Sequence, residues 1–267
     1  QTIEKLAYTN EELNQEQEFA QKIFTNIINP GFLDAVNIKY LLSPMSVFNG
    51  DLLQVEQDLS RGQFVMLGDF TGHGLRAALG AIPVSETFRS MVKKGYCIED
   101  IVEEINRKLK AILPVGVFLC ACVMHIDTIR NKLSVWNGSL PDLLVYRDRC
   151  GIVARATSSH LALGIVGADA FDKTIEVMDI LPGDRIFIYS DGITEAENVD
   201  GQLFGAERLE ACFTNRNENP DHLFDGILGS VRAFVSGKSQ GDDITIVEVS
   251  HPLPVDPGVP APTVQEI

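Results

Sequence analysis

The sequence predicts an α+β fold in which two β-sheets are covered by helices. Two observations carry this expectation. Strand-like apolar runs dominate from Asn37 onward, and helical periodicity is confined to one central pair of segments and two late ones. The length of 267 residues suits one large domain or two small ones.

Residues 1–29 stand apart, rich in Glu, Gln and Asn. Their apolar residues Ile3, Leu6, Leu13, Phe19, Ile23, Phe24 and Ile27 lie at interrupted helical spacing before Pro30-Gly31. We expect a linker or signalling helix here, packed on its own domain or joining two protomers. Strands are expected at Ile38–Leu42, Val47–Val55 and Gln63–Leu67, the last running into Gly68-Asp69. Helices follow at Leu75–Val92, bent at Pro83, and at Ile98–Ile112, where Ile98, Ile101, Val102, Ile105, Leu109 and Ile112 recur at three and four. In the first helix, Ala78, Leu79, Ile82, Phe88, Met91 and Val92 supply the apolar face.

Strands return at Val117–Ile126, Lys132–Trp136, Leu143–Arg147, Ile175–Ile180 and Arg185–Tyr189, with turns at Asn137-Gly138 and Pro182-Gly183. Helices near Ala206–Cys212 and Asp221–Val235 precede a final strand, Ile244–Val249. The domain is expected over 30–250. Residues 251–267 hold five of the 12 prolines and read as a linker or disordered tail. The chain opens at Gln1 without a methionine, so we expect it to be a piece of a longer protein.

With 22 Lys+Arg against 37 Asp+Glu, the net charge is −15. There is no Lys/Arg cluster, which excludes a protein built mainly to bind nucleic acid or an anionic membrane. No apolar run approaches the ~20 residues of a membrane helix, and a polar N-terminus leads us to expect a cytoplasmic protein. The five cysteines, Cys97, Cys120, Cys122, Cys150 and Cys212, lack paired spacing and are expected to be reduced core residues.

The aspartates need more explanation. Asp69 ends one apolar run, Asp191 ends another, Asp242 and Asp243 open a third, and Asp51 follows Asn49-Gly50. Each neighbours a glycine or a strand end, where a carboxylate is ordinarily a turn residue. If these strand ends converge, three or four carboxylates within about 5 Å would repel by several kcal/mol per pair, and would have to protonate or bind cations. Oxygen donors of this kind suit Mg²⁺ and Mn²⁺. The residues alone therefore point to an acidic dimetal site.

The motifs Asn49-Gly50-Asp51, Gly68-Asp69-Phe70-Thr71-Gly72-His73-Gly74, Ser190-Asp191-Gly192-Ile193-Thr194-Glu195 and Gly241-Asp242-Asp243-Ile244-Thr245 resemble, in order, those of the PPM (type-2C) serine/threonine phosphatases. The nearest branch is the bacterial SpoIIE/RsbU-like one, which Trp136-Asn137-Gly138-Ser139-Leu140-Pro141 and Leu163-Gly164 also resemble. The resemblance runs from about residue 15 to 249 and implies a four-layer αββα sandwich.

The resemblance further implies two Mn²⁺ or Mg²⁺ ions. Asp69 would bridge them, Asp51 and the Phe70 carbonyl would serve one, and Asp191 and Asp242 the other, with Asp69 and Asp191 central to catalysis. Asp243, His73 and Gly192 would stand beside the ligands. His73 invites a general-acid role, against the plainer reading of a loop histidine that steadies its turn.

The implied activity is hydrolysis of phosphoserine or phosphothreonine on a partner protein. In this branch the partner is an anti-sigma-factor antagonist, and the phosphatase is the output domain of a response regulator or sensor in partner-switching signalling, here with a homodimer through residues 1–29. Rival readings are a non-catalytic, phosphatase-like binding or adaptor module and a hydrolase of small phosphate esters. Two departures stand out. The first motif reads Asn-Gly-Asp where the branch often has Gly-Gly-Asp, and no arginine matches the phosphate-binding arginine of eukaryotic relatives.

Overall fold

The fold is built on antiparallel strands whose alternate residues face two different cores. It was analysed in a computed structural model that describes residues 31, 33, 35–45, 49–58, 60–72, 75–214 and 222–252, with the backbone alone for 75–78. The signalling helix expected over 1–29, His73 in the glycine-rich turn and the tail from 253 lie outside the described residues.

One sheet has the order β2-β3-β4-β5-β8, from strands Asp51–Asp58 (β2), Gly62–Phe70 (β3), Leu119–Asp127 (β4), Lys132–Gly138 (β5) and Glu176–Asp179 (β8). The other has the order β1-β10-β9-β6-β7, from Ile38–Ser43 (β1), Ile244–Ser250 (β10), Arg185–Tyr189 (β9), Leu143–Arg147 (β6) and Gly151–Ala156 (β7). Every neighbouring pair is antiparallel. The central helical pair, Leu75–Lys93 (α1) and Ile98–Ile112 (α2), covers the first sheet. A short turn of helix, Asp191–Thr194 (α3), and the helices Gly205–Thr214 (α4) and Leu223–Val235 (α5) cover the second.

The period-2 alternation of the strands gives the layering its physical basis. On β3, Val65 and Leu67 enter the core between the sheets, where they meet Ile186, Ile188, Val247 and Val249 of the second sheet. Their neighbours Phe64, Met66 and Phe70 face the helices, against Phe88, Ile101, Ile105 and Leu109. A third cluster joins Phe187, Tyr189 and Ile246 to Leu209, Phe213 and Ile227. Three cores separate four layers, which is the αββα sandwich expected.

Several local expectations are corrected. The strand expected from Val47 starts at Asp51, because Asn49 accepts the Asp51 N–H through its side chain (3.1 Å) and makes a turn there. Asn137-Gly138 closes β5 rather than turning, and the turn falls at Ser139, whose φ is 65°. Strand β7, a partly exposed edge strand without a bounded apolar run, and helix α3, a single turn, leave no periodicity in the sequence. Leu79, expected on the buried face of α1, is exposed. Cys97 and Cys150 are exposed rather than core residues, and none of the five cysteines is in a disulfide. His251, expected in the tail, is buried. It pairs through its backbone with Gly183 and Asp184 and through its ring with Asn131, so the folded domain runs past 250.

Helix α1 is fitted to the sheet at Gly80. A Cβ there would lie 2.5 Å from Cε1 and 2.8 Å from Cζ of Phe70, so only glycine lets the helix rest on that ring. Alanine normally favours a helix interior over glycine by ~1 kcal/mol. Gly80→Ala should nonetheless destabilise the domain, by about 1–3 kcal/mol, through overpacking. Urea denaturation checks this, and a more stable variant would contradict the fit.

Candidate metal centre

Alternation along the strands brings the carboxylates together. On β2 and β3 the residues that face the other sheet are Leu53 and Val55, Val65 and Leu67, so Asp51 and Asp69 face the same way at the end of the row. The two are directly opposite in the ladder, with Cys120 of β4 next in register beside Asp69. Opposite positions in an antiparallel pair stand ~5 Å apart at Cβ, where like charges repel. From the second sheet, Ser190 at the end of β9, Asp191 at the start of α3 and Asp242-Asp243 before β10 reach the same rim.

Ser190 ties the second sheet's contribution together. Its N–H donates to the Thr245 carbonyl (3.0 Å), its hydroxyl accepts the Thr245 N–H (3.0 Å), and that hydroxyl donates to the Asp243 carbonyl (3.4 Å). Gly192 permits the approach, since a Cβ there would overlap the Asp243 carbonyl oxygen. Asp243 then spans the two sheets: its carboxylate accepts the N–H of Met45 and of Gly50, each at 2.5 Å. Gly50 in turn is tightly enclosed. A Cβ would sit 3.1 Å from Asp243 Oδ2, 3.3 Å from the Gly72 carbonyl oxygen and 3.5 Å from that of Phe70. The Phe70 carbonyl is thus held on this rim, while its ring is buried under α1.

The electrostatics are those of crowded, desolvated acids. Asp51 is 7% exposed, and among the described residues neither of its buried oxygens has a hydrogen-bond partner of ordinary geometry. Burial pushes its carboxyl up to about 7. The nearby Thr245 and Ser190 hydroxyls pull it down without making a bond of ordinary geometry, and the Asp243 and Asp191 charges raise it further. Burial, then the charges of Asp51, Asp191, Asp242 and Asp243, push Asp69 up to about 8. Asp191 is raised by burial, then by Glu195 and Asp242. The Cys120 thiol is pushed up to about 12 by burial and by Asp69 and Asp191, which keeps it neutral.

Asp51, Asp69, Asp191, Asp242 and Asp243 therefore share one rim, together with Gly192 and the Phe70 carbonyl. They do not close into a ready-made ligand shell: among the described residues, no three His, Cys, Asp or Glu side chains are arranged to hold one ion. The fit to a cation rests instead on the orphaned Asp51 oxygens and on the mutual charge of the set. A buried carboxylate without donors is completed by a hard divalent ion. Sequence reasoning gave no role to Ser190, Thr245, Cys120 or Glu195. The signal available for the first three was the same alternation that placed Asp51 and Asp69.

The family model described as "Stage II sporulation protein E (SpoIIE)" matches residues 60–252, about 70% of the chain. The chain belongs to the SpoIIE family. It is a SpoIIE/RsbU-like member of the PPM-type phosphatases, as its motifs led us to expect. This SpoIIE-family chain is 29% identical over 124 residues to Protein IcfG of Synechocystis sp. (strain ATCC 27184 / PCC 6803 / Kazusa), covering 46% of this chain and 19% of that protein. It is 22% identical over 186 residues to phosphoserine phosphatase RsbP of Bacillus subtilis (strain 168), covering 68% of this chain and 45% of that protein. It thus spans less than half the length of either curated relative. Its fold is similar to that of the SiaA-PP2C domain of Pseudomonas aeruginosa, at a TM-score of 0.77 and 18% identity over 91% of this chain and 99% of that one.

Because Asp51 and Asp69 keep their protons to higher pH folded than unfolded, the folded chain binds more protons from about pH 4, near their ordinary value of 3.8, to about pH 8. Their contribution is favourable at low pH and is lost as pH rises through that window. A cation that binds the ionised pair reverses the trend. In metal-free buffer, Asp51→Asn should melt roughly 3–6 °C above wild type at pH 8 and level with it near pH 4. Mn²⁺ should raise the wild-type melting temperature more at pH 8 than at pH 6, and not that of the variant. Calorimetry at the three pH values checks this; a Mn²⁺ effect independent of pH would count against it.

Proposed function

We propose that this domain is a metal-dependent phosphatase that removes phosphate from serine or threonine on a partner protein. The observation that carries the reading is the convergence of five aspartates on one rim, where neither oxygen of buried Asp51 makes a hydrogen bond of ordinary geometry among the described residues. Family membership supports it, as does the similarity to a protein named phosphoserine phosphatase.

In this reading Asp69, Asp51, the Phe70 carbonyl, Asp191 and Asp242 would hold the cations, with Asp69 shared between the Asp51 side and the Asp191 side. Two Mn²⁺ or Mg²⁺ ions held there would supply Lewis-acid stabilisation of the phosphoryl charge and a hydroxide source at neutral pH. Asp243 positions rather than ligates, because its carboxylate is occupied by the amides of Met45 and Gly50 and so fixes the turn that presents Asp51. Gly192 lets Asp191 sit against Asp243.

The partner we propose is a phosphorylated anti-sigma-factor antagonist, in a cytoplasmic partner-switching pathway. Residues 1–29 would act as the signalling helix, through a homodimer or a sensor upstream, and 30–250 as the output domain. The route to the site would be α1, which rests on the Phe70 ring at Gly80, so that a shift of the helix displaces the residue whose carbonyl lies on the rim. The adaptor reading differs in one measurable respect, the absence of turnover.

Asp69→Ala should lower Mn²⁺-dependent phosphate release from a phosphoserine protein by roughly 10³-fold, since the ligand common to both ions is gone. Near-wild-type release by that variant would sink the assignment. Deleting residues 1–29 should change either the mass in solution or the basal rate; light scattering and steady-state kinetics that both match the full chain would refute the signalling role.

A further inference from the structure

Beside the acidic rim lies a second recess that the hydrolytic reading does not use. It is a cavity of about 580 Å³ between α3, α5 and the segment that leads into β10, and Gly192 and Asp242 are in its lining. That volume lies within the roughly 300–1,000 Å³ of ligand pockets. Its floor is apolar, made by Ile193, Leu228, Val231, Val235 and Ile244. Its charges are divided. Glu195 and Asp242 lie on the side of Asp191, whereas Arg232 and Lys238 come from the end of α5 and the loop beyond it.

The two cations are not equivalent. Lys238 forms an ion pair with Glu197, which also lines the cavity. Arg232 is exposed on the last turns of α5 and has no ion pair or side-chain hydrogen bond among the described residues. In a chain of net charge −15, a guanidinium left without a carboxylate at the mouth of an apolar recess is complementary to an acidic group brought by another molecule. Glu195, Glu197 and Asp242 of the same lining disfavour a carboxylate set next to them and leave Arg232 as its place.

We propose that this recess receives the stretch of substrate polypeptide that flanks the phosphorylated residue, with an apolar side chain on the floor and a carboxylate on Arg232. The inference rests on the phosphatase reading and adds a substrate class to it. The phosphoseryl group lies at the Asp69 rim, and the flanking residues extend past Gly192 toward α5. The preferred substrate is an acidic segment with a large aliphatic or aromatic residue near the phosphoserine. Selectivity then comes from a surface next to the ions and not from a phosphate-binding arginine.

The test uses the full chain with Mn²⁺ and a set of phosphoserine peptides of equal length. The flanks carry Leu with Glu, Leu with Lys, Ala with Glu or Ala alone, on either side of the phosphoserine, and p-nitrophenyl phosphate reports the chemistry alone. The Leu/Glu peptide should exceed the all-Ala peptide roughly tenfold or more in kcat/KM, the scale of one well-filled apolar pocket. Arg232→Glu should reverse the preference from Glu to Lys, with p-nitrophenyl phosphate turnover and melting temperature unchanged. Val235→Asp should erase the preference for Leu. Peptide rates that ignore the flanks while p-nitrophenyl phosphate is turned over would overturn the pocket alone. So would an Arg232→Glu variant with wild-type preferences, which would assign the recess to residues 1–29, a second copy or a small ligand. Absence of metal-dependent turnover on every substrate would overturn both readings together.

Discussion

Asp51 and Asp69 face one another across two hydrogen-bonded strands, at the mouth of a core that is otherwise aliphatic. Each costs free energy as a charge in that position, and each raises the cost of the other. A fold does not keep such a pair for stability. The rest of the rim is arranged around this tension. Ser190 and Thr245 bring hydroxyls near Asp51 without bonding to it, and Asp191 and Asp242 add further negative charge instead of relieving it. Among the described residues, no arginine or lysine comes in to neutralise the cluster, although such pairs are used elsewhere, as between Arg147 and Asp184.

What holds the acids in place is backbone, at tightly enclosed points. Gly50, Gly192 and Gly80 each stand where an added carbon would press on a carbonyl, a carboxylate or a ring. These contacts connect all four layers to the rim. The first sheet supplies Asp51 and Asp69, the second sheet the Asp242-Asp243 pair before β10, α3 of the outer layer supplies Asp191, and α1 presses on Phe70. Asp243 fastens the sheets to each other through the amides of Met45 and Gly50.

Much of this was legible in the sequence, for reasons that can be named. The helix Ile98–Ile112 was readable to the residue, since its apolar positions recur at three and four without a break. Strands Leu143–Arg147 and Arg185–Tyr189 were readable because turn residues bound their apolar runs. Where no periodicity can develop, reading failed. Strand Gly151–Ala156 is a short edge strand after a tight turn with Arg149 and Gly151 at positive φ, and Asp191–Thr194 is a single turn of helix. Exposure failed at Leu79, Cys97 and Cys150, because an apolar residue at a helix face or in a turn meets only what the other layers bring to it.

The sequence by itself determined the layers and the acids. Period-2 and period-3.6 patterns depend only on local geometry, and the glycine-flanked aspartates carry their chemistry wherever they lie. Only the tertiary structure decided which oxygens are free. Asp242 and Asp243 are adjacent and chemically identical, yet one carboxylate is consumed by the amides of Met45 and Gly50, nearly 200 residues away in the chain. Asp51 looks like a turn residue in sequence, and in the fold it is buried with no hydrogen bond of ordinary geometry to either oxygen among the described residues. The physical reason is common to both. A hydrogen-bond partner, or the lack of one, is set by strands that meet across two sheets, and no local pattern records that meeting.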